Sequence, residues 1–260
     1  MSQSKSTSIR DMKGRQRVAA LTAYDYPTAC ILDQAGIPLI LVGDSLGMVV
    51  LGYPDTTHVT MGEMEHHVRA VARAKPQGLL VADLPYRSCE TPEQAVENAR
   101  RLVAAGAEAV KAEGGQAILP QVQAILTDGI PFCGHLGMLP QSVLEEGGYH
   151  VKGKAEAERQ ALLADARALA DAGAFAIVLE LVTAVVAREI SESISIPTIG
   201  IGAGSHCDGE ILVVTDLFGT SGDYIPRHVK KSWRLSQQMR SAVVEWKESV
   251  VNPMPIRLAL

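Results

Sequence analysis

The run AVKAEGG, residues 109–115, alternates small apolar residues with a cation and an anion before two glycines end it. Val110 and Ala112 suit a buried β-strand. Lys111 and Glu113 share the strand's other side, because side chains alternate faces with a period of two. A mutual salt bridge is the plain reading of that pair. An alternative is that a buried parallel strand turns polar where its C-terminal end meets an active site. The choice depends on how the chain's other apolar runs end.

They end in the same way. VAALTAYD (18–25) closes on Tyr24-Asp25, PLILVGDS (38–45) on Asp44-Ser45, and LLVADLPY (79–86) carries Asp83. PFCGHLGM (131–138) carries His135, AFAIVLELV (174–182) Glu180, IPTIGIGAG (196–204) a set of glycines, and EILVVTDLFG (210–219) Asp216. Segments with helical spacing separate the runs: 27–35, 62–74, a stretch from Thr91 with Pro92 in its first turn to Gly106, 118–129, 154–173 and 183–194. A threonine cap, a following proline and a glycine stop bracket a helix strongly. Only a short connection fits between runs seven and eight. Eight strands with such connections, in about 200 residues, predict a closed (β/α)8 TIM barrel rather than an open sheet. Residues 1–260 are read as a single barrel domain, with 1–10 a loose polar tail and 220–260 a helical extension. Within that extension the apolar spacing over 228–250 predicts an amphipathic helix that packs on the barrel or on a neighbouring subunit.

The composition agrees with a soluble globular protein: 260 residues, 47% hydrophobic, 20% charged, net charge −5. The acidic balance argues against a nucleic-acid surface, and only RHVKK (227–231) is locally basic. No apolar run approaches the roughly 18 residues of a membrane span. Cys30, Cys89, Cys133 and Cys207 show no paired spacing, which fits reduced thiols in a cytoplasmic protein.

Each polar strand end has a plain reading. An aspartate after a strand often caps the next helix, and His135 could be a satisfied core histidine. The glycines of GIGAG lack the lysine of a phosphate loop and could simply allow close backbone approach. Glu180 is harder to dismiss, because it is apolar-flanked throughout IVLELV and costly to bury. In a barrel, Asp44, Asp83 and Glu113 come from consecutive strands. Three gathered carboxylates repel one another unless protonated or neutralised, and an all-oxygen set suits Mg2+. Lys111 then suits a substrate anion, and Glu180 is expected across the cavity as a base.

The blocks LTAYDYPTA, VGDSLGMVVLGYPDTTHVT, LLVADLPY, VKAEGG, CGHLGMLPQSV, GGYHVKGK and IPTIGIGAGSHCDGEILVVTDLFG, in this order, resemble the ketopantoate hydroxymethyltransferase family across roughly residues 8 to 235. The resemblance implies a barrel of the phosphoenolpyruvate/pyruvate type, usually assembled as a homodecamer. It implies transfer of a one-carbon unit from 5,10-methylenetetrahydrofolate to 3-methyl-2-oxobutanoate in pantothenate biosynthesis, through an enolate stabilised by one Mg2+ per subunit. Asp44 and Asp83 match the metal-site aspartates, and Glu113 matches the acid that reaches the metal through water. Ser45 and Lys111, with Asp44 and Asp83, match the keto-acid site. Glu180 matches the general base and His135 an active-site histidine. Leu139 stands where a threonine is expected. The enzyme alternative, an isocitrate-lyase-like or phosphonopyruvate-type lyase on the same barrel, often uses a cysteine in a KKCGH-like loop, and that loop does not occur in this sequence. Residues 46–60 and 147–153 are expected to act as lids.

Overall fold

The computed structural model describes residues 4–221, 226–229 and 232–252. Eight parallel strands close in sequence order: β1 Val18–Thr22, β2 Leu39–Val42, β3 Leu79–Asp83, β4 Ala109–Glu113, β5 Phe132–Gly137, β6 Ala176–Glu180, β7 Thr198–Ile201 and β8 Gly209–Leu212. β8 pairs with β1 from Val18↔Gly209 to Leu21↔Leu212, so no strand edge is left open.

Helices α2 Tyr26–Gln34, α4 Met61–Ala72, α5 Pro92–Ala105, α6 Leu119–Thr127, α8 Glu156–Ala172 and α9 Ala184–Ser193 connect β1 through β7. Local chemistry sets their ends. Thr60 and Glu63 form a reciprocal capping box on α4. Thr91 caps α5, Pro92 opens it, and Gly106 at φ 116° ends it in the left-handed region that glycine alone enters freely. β7 and β8 are joined without a helix, as their short spacing predicts.

The barrel interior is layered. Its lower part holds Val18, Leu39, Leu41, Leu79, Val81, Ala109, Cys133, Ala176, Val178, Ile199 and Ile211, packed as one apolar core. Continuing the same faces toward the strand C-termini by steps of two gives Asp83, Lys111, Glu113, His135 and Glu180. The stretch expected to be a loose tail instead forms α1, Lys5–Arg10, capped by Ser4. Ile9 joins the barrel core, with Met12 packed against it, and Lys13 pairs with Asp208 at 2.6 Å. Apolar residues on that short segment were enough to draw it into the fold.

The chain divides into two compact units, Met1–Val213 and Val214–Leu260. The eighth run stops being a strand at Leu212, and α10, Val214–Phe218, takes its second half. Asp216 is therefore a helical residue, bonded at 2.7 Å by the Ser221 hydroxyl, and not a strand end. Helix α11, Leu235–Val251, confirms the helical spacing of the C-terminal segment but begins later than residue 228. Lys230 and Lys231 of the basic RHVKK run lie outside the described residues. Among the described residues, no helix is long and apolar enough to cross a membrane.

Candidate active site

The ends of β2 to β6 bring one polar cluster together. Asp83 and Lys111 are register partners on β3 and β4, and Lys111 Nζ lies 3.0 Å from Asp83 Oδ1. The Lys111 amine thus pairs with the neighbouring strand's aspartate and not with Glu113 two residues along its own strand. On its other side, Lys111 Nζ lies 3.1 Å from His135 Nδ1, and His135 Nε2 lies 3.3 Å from Glu180 Oε2. A lysine ammonium can only donate, so Nδ1 accepts and the ring proton sits on Nε2, facing Glu180. Glu180, on β6, stands opposite β2 in the closed strand order and contacts His135 on the adjacent strand.

The acids differ in their surroundings. Burial, and then the charge of Asp83, push the Asp44 carboxyl up to about 7, while Lys111 and Gln141 pull it the other way. Burial and Asp44 hold Glu113 well above the usual carboxylate range. Burial alone would depress Lys111, but Asp83, Glu113 and Asp44 together outweigh it and raise the amine further. Burial and the Lys111 charge lower His135, which keeps the imidazole neutral. Three carboxylates, Asp83, Glu113 and Asp44, thus act on one ammonium.

Asp44 enters by a different route from the rest. It follows β2 and falls out of the two-residue step of Leu39 and Leu41, because the chain leaves the strand at Gly43. A Cβ on Gly43 would sit 3.0 Å from Ser45 Oγ and 3.4 Å from Asp83 Oδ2, a tight fit that glycine avoids. The Asp44 N–H then donates to Asp83 Oδ2 at 3.1 Å. Short helix α3, Leu46–Val49, follows directly. Ser45 Oγ shares a 2.8 Å hydrogen bond with Tyr24 Oη, and His67 Nδ1 lies 2.6 Å from the Tyr24 carbonyl oxygen.

Asp25 proves to be the plain case: exposed, it caps α2 by accepting from the Thr28 N–H at 2.8 Å. Of the GIGAG glycines, Gly204 serves close approach, since a Cβ there would strike Ala184 on α9. Gln141 and Tyr24 are the site residues that sequence reasoning left without a role. Gln141 lies in a single-turn 3-10 helix, Pro140–Ser142, that follows β5 and leads into α7, Val143–Glu146. Its amide donates to Asp44 Oδ2 at 2.7 Å and to the Leu84 carbonyl at 3.0 Å, and its main-chain N–H donates to Glu113 Oε2 at 3.0 Å. A lone glutamine in a loop carries no sequence signal of this kind.

Two loops meet over the mouth. Tyr149 Oη donates to Met48 Sδ at 3.6 Å, linking the segment after β2 to residues 147–153. Burial, then the Glu180 and Asp44 charges, push the Tyr149 hydroxyl up to about 12. The second loop is tied to the end of β6: the Lys152 N–H donates to Leu181 O at 2.8 Å, and the Thr183 N–H to Lys152 O at 2.9 Å. Leu181 adopts φ 47°, a strained value for a leucine, immediately after Glu180.

The donor set fits a hard cation. Asp44 and Asp83 are adjacent oxygen donors in a buried region with excess negative charge. Among the described residues, no group of three or more His, Cys, Asp or Glu side chains is placed to hold a metal ion, so Asp44, Asp83 and Glu113 do not form one three-carboxylate site. Two carboxylates are a set by which Mg2+ can be held, with water and substrate filling the octahedron.

The family model described as "Ketopantoate hydroxymethyltransferase" matches residues 3–254. The 3-methyl-2-oxobutanoate hydroxymethyltransferase of Moorella thermoacetica is 51% identical over 245 residues, spanning 93% of this chain and 91% of the relative. Its namesake from Caldivirga maquilingensis is 52% identical over 241 residues, spanning 92% and 91%. Among solved structures, a 2,3-dimethylmalate lyase of the PEP mutase/isocitrate lyase superfamily aligns with TM-score 0.64 at 16% identity, covering 99% of this chain and 92% of its own. A phosphonopyruvate hydrolase complex with oxalate and Mg++ aligns with TM-score 0.61 at 15% identity, covering 95% and 99%. At such identity these structures establish the shared barrel alone.

Proposed function

Since the chain belongs to the ketopantoate hydroxymethyltransferase family, we propose that it moves a one-carbon unit from 5,10-methylenetetrahydrofolate to C3 of 3-methyl-2-oxobutanoate, yielding 2-dehydropantoate and tetrahydrofolate. The observation that carries this reading is the continuous contact Asp83–Lys111–His135–Glu180, which joins an anion-binding amine to a carboxylate base across three neighbouring strands.

In this reading the Lys111 ammonium, held by Asp83, receives the keto acid's carboxylate, and the Ser45 hydroxyl, oriented by Tyr24, donates to the same ligand. Asp44 and Asp83, with Glu113 through water, are the residues that would hold one Mg2+, whose chemistry is Lewis-acid polarisation of the keto oxygen. Glu180 takes the C3 proton. His135 Nε2 lies 3.3 Å from Glu180 Oε2, so His135 acts as a positioning residue for the base. One of the two carbon–nitrogen bonds of the folate methylene opens first, its electron pair taking up a proton on nitrogen and leaving an iminium carbon, and the electron pair left on C3 adds to that carbon. The second carbon–nitrogen bond then breaks, its electron pair and a proton going to the folate nitrogen, and water supplies the hydroxyl of the product. The Met48–Tyr149 contact supports closure of the two loops over the mouth, which keeps water from the C3 carbanion.

The same reading puts the enzyme in the cytoplasm as a homo-oligomer, a decamer by family resemblance. Exposed Met239, Val243, Trp246, Val250 and Val251 along α11 support assembly, because an apolar face of that kind marks an interaction surface.

The test is hydrogen exchange. The protein, given 3-methyl-2-oxobutanoate and Mg2+ in deuterated water without folate, is expected to wash out the C3 proton signal, and chelation of the ion is expected to stop it. Absence of exchange in the loaded protein, or exchange at full rate after chelation, overturns the proposal.

A further inference from the structure

Gln141 touches three strand ends at once: Asp44 after β2, the Leu84 carbonyl after β3 and Glu113 at the end of β4. It does so from the loop after β5, so a single residue braces four consecutive strands at the mouth. Its two kinds of bond are complementary. The main-chain N–H fixes Glu113, and the side-chain amide spans the gap from that backbone to Asp44. The Leu84 carbonyl takes a hydrogen of the same amide, which fixes the orientation of its NH2 group. The Asp44 oxygen that accepts is Oδ2, leaving Oδ1 without this donor.

We propose that Gln141 is a positioning residue that sets the separation and aim of the Asp44 and Glu113 carboxylates and so sets the affinity of the site for its divalent cation. The proposal rests on the reading of Asp44 and Asp83 as cation ligands. Carboxylates that hold a metal are themselves held by outer hydrogen bonds, and losing such a partner typically weakens metal binding about 10- to 100-fold. Without the amide, Asp44 loses that side-chain hydrogen-bond donor and is left between the repulsion of Asp83 and the attraction of Lys111.

The experiment is calorimetric titration of Mg2+ into the full-length protein in the absence of both substrates, with wild type and Gln141→Met compared. Methionine preserves the length and bulk of the side chain but removes the donor. Binding by the wild type, with affinity about 10- to 100-fold weaker in Gln141→Met, supports the proposal. Affinities within about twofold of each other overturn it while leaving the cation reading intact. A wild type that binds no Mg2+ overturns the cation reading and the proposal together. A second readout separates positioning from general damage. Turnover of Gln141→Met is expected to recover at saturating Mg2+, whereas turnover that stays low at every Mg2+ concentration overturns the assignment. Should Gln141→Met fail to fold, Gln141→Ser, which keeps the main-chain bond to Glu113, is titrated in its place.

Discussion

Lys111 and Asp83 face each other from adjacent strands at 3.0 Å, with only about 5% of either side chain exposed. A buried pair of this kind is worth little against a well-packed apolar replacement, but removing one partner leaves the other charge stranded. Lys111 also answers the charges of Asp44 and Glu113, so its loss exposes Asp83 to them as well.

Lys111→Met is therefore expected to destabilise the cation-free protein by about 3–5 kcal/mol in urea unfolding. The double variant Lys111→Met/Asp83→Asn is expected to lose clearly less than the sum of the two single losses. Additive losses would mean that the two groups do not interact.

Glu180→Gln keeps the shape of the side chain and removes the base. Turnover is expected to fall about 10²- to 10⁴-fold, with keto-acid affinity largely retained. Steady-state kinetics together with equilibrium binding of 3-methyl-2-oxobutanoate check it, and unimpaired turnover would contradict the assigned role.

Gly137 ends β5 at φ 101°, and a Cβ there would strike the Glu180 carbonyl oxygen and the Val182 side chain. Gly137→Ala combines left-handed strain with a backbone collision beside the base. A loss of about 1–3 kcal/mol in stability is expected, along with a lower kcat as Glu180 shifts. Thermal unfolding and kinetics measured on the same sample test both parts.

Burial pushes the Cys89 thiol up to about 11 and the Cys133 thiol up to about 12. A raised thiol pKa means the protonated, unreactive form dominates at neutral pH, and the thiolate appears only as pH climbs toward those values. At pH 8 a thiol of pKa 11 is about one part in a thousand thiolate. Native protein treated with iodoacetamide at pH 8 is expected to leave both cysteines unmodified by peptide mass analysis. Rapid labelling of Cys133 would show that β5 is less well packed than described.

Much of the site was readable in the order of residues. Asp83, Lys111, Glu113, His135 and Glu180 all follow from carrying an apolar strand face two residues further, since the alternation is a property of the strand itself. Asp216 shows the limit of that rule. The run EILVVTDLFG looks like one strand, yet its second half coils into α10, because an apolar run of that length suits a buried helix as well as a strand. Asp25 likewise resembled a mouth residue and is a helix cap, a choice that depends on where the following N–H groups point.

Taken alone, the sequence determined the eightfold alternation, the parallel barrel that buries it and the polar upper layer. These follow from short-range periodicity and from the need to cover both faces of each strand. Tertiary structure decided which charges meet: Lys111 with Asp83 instead of Glu113, His135 with its proton toward Glu180, Asp44 drawn in at Gly43, and Gln141 braced between two acids. Those pairings depend on how far each strand is staggered against its neighbour when the barrel closes. Stagger is set by contacts between residues distant in the chain, so no local pattern encodes it.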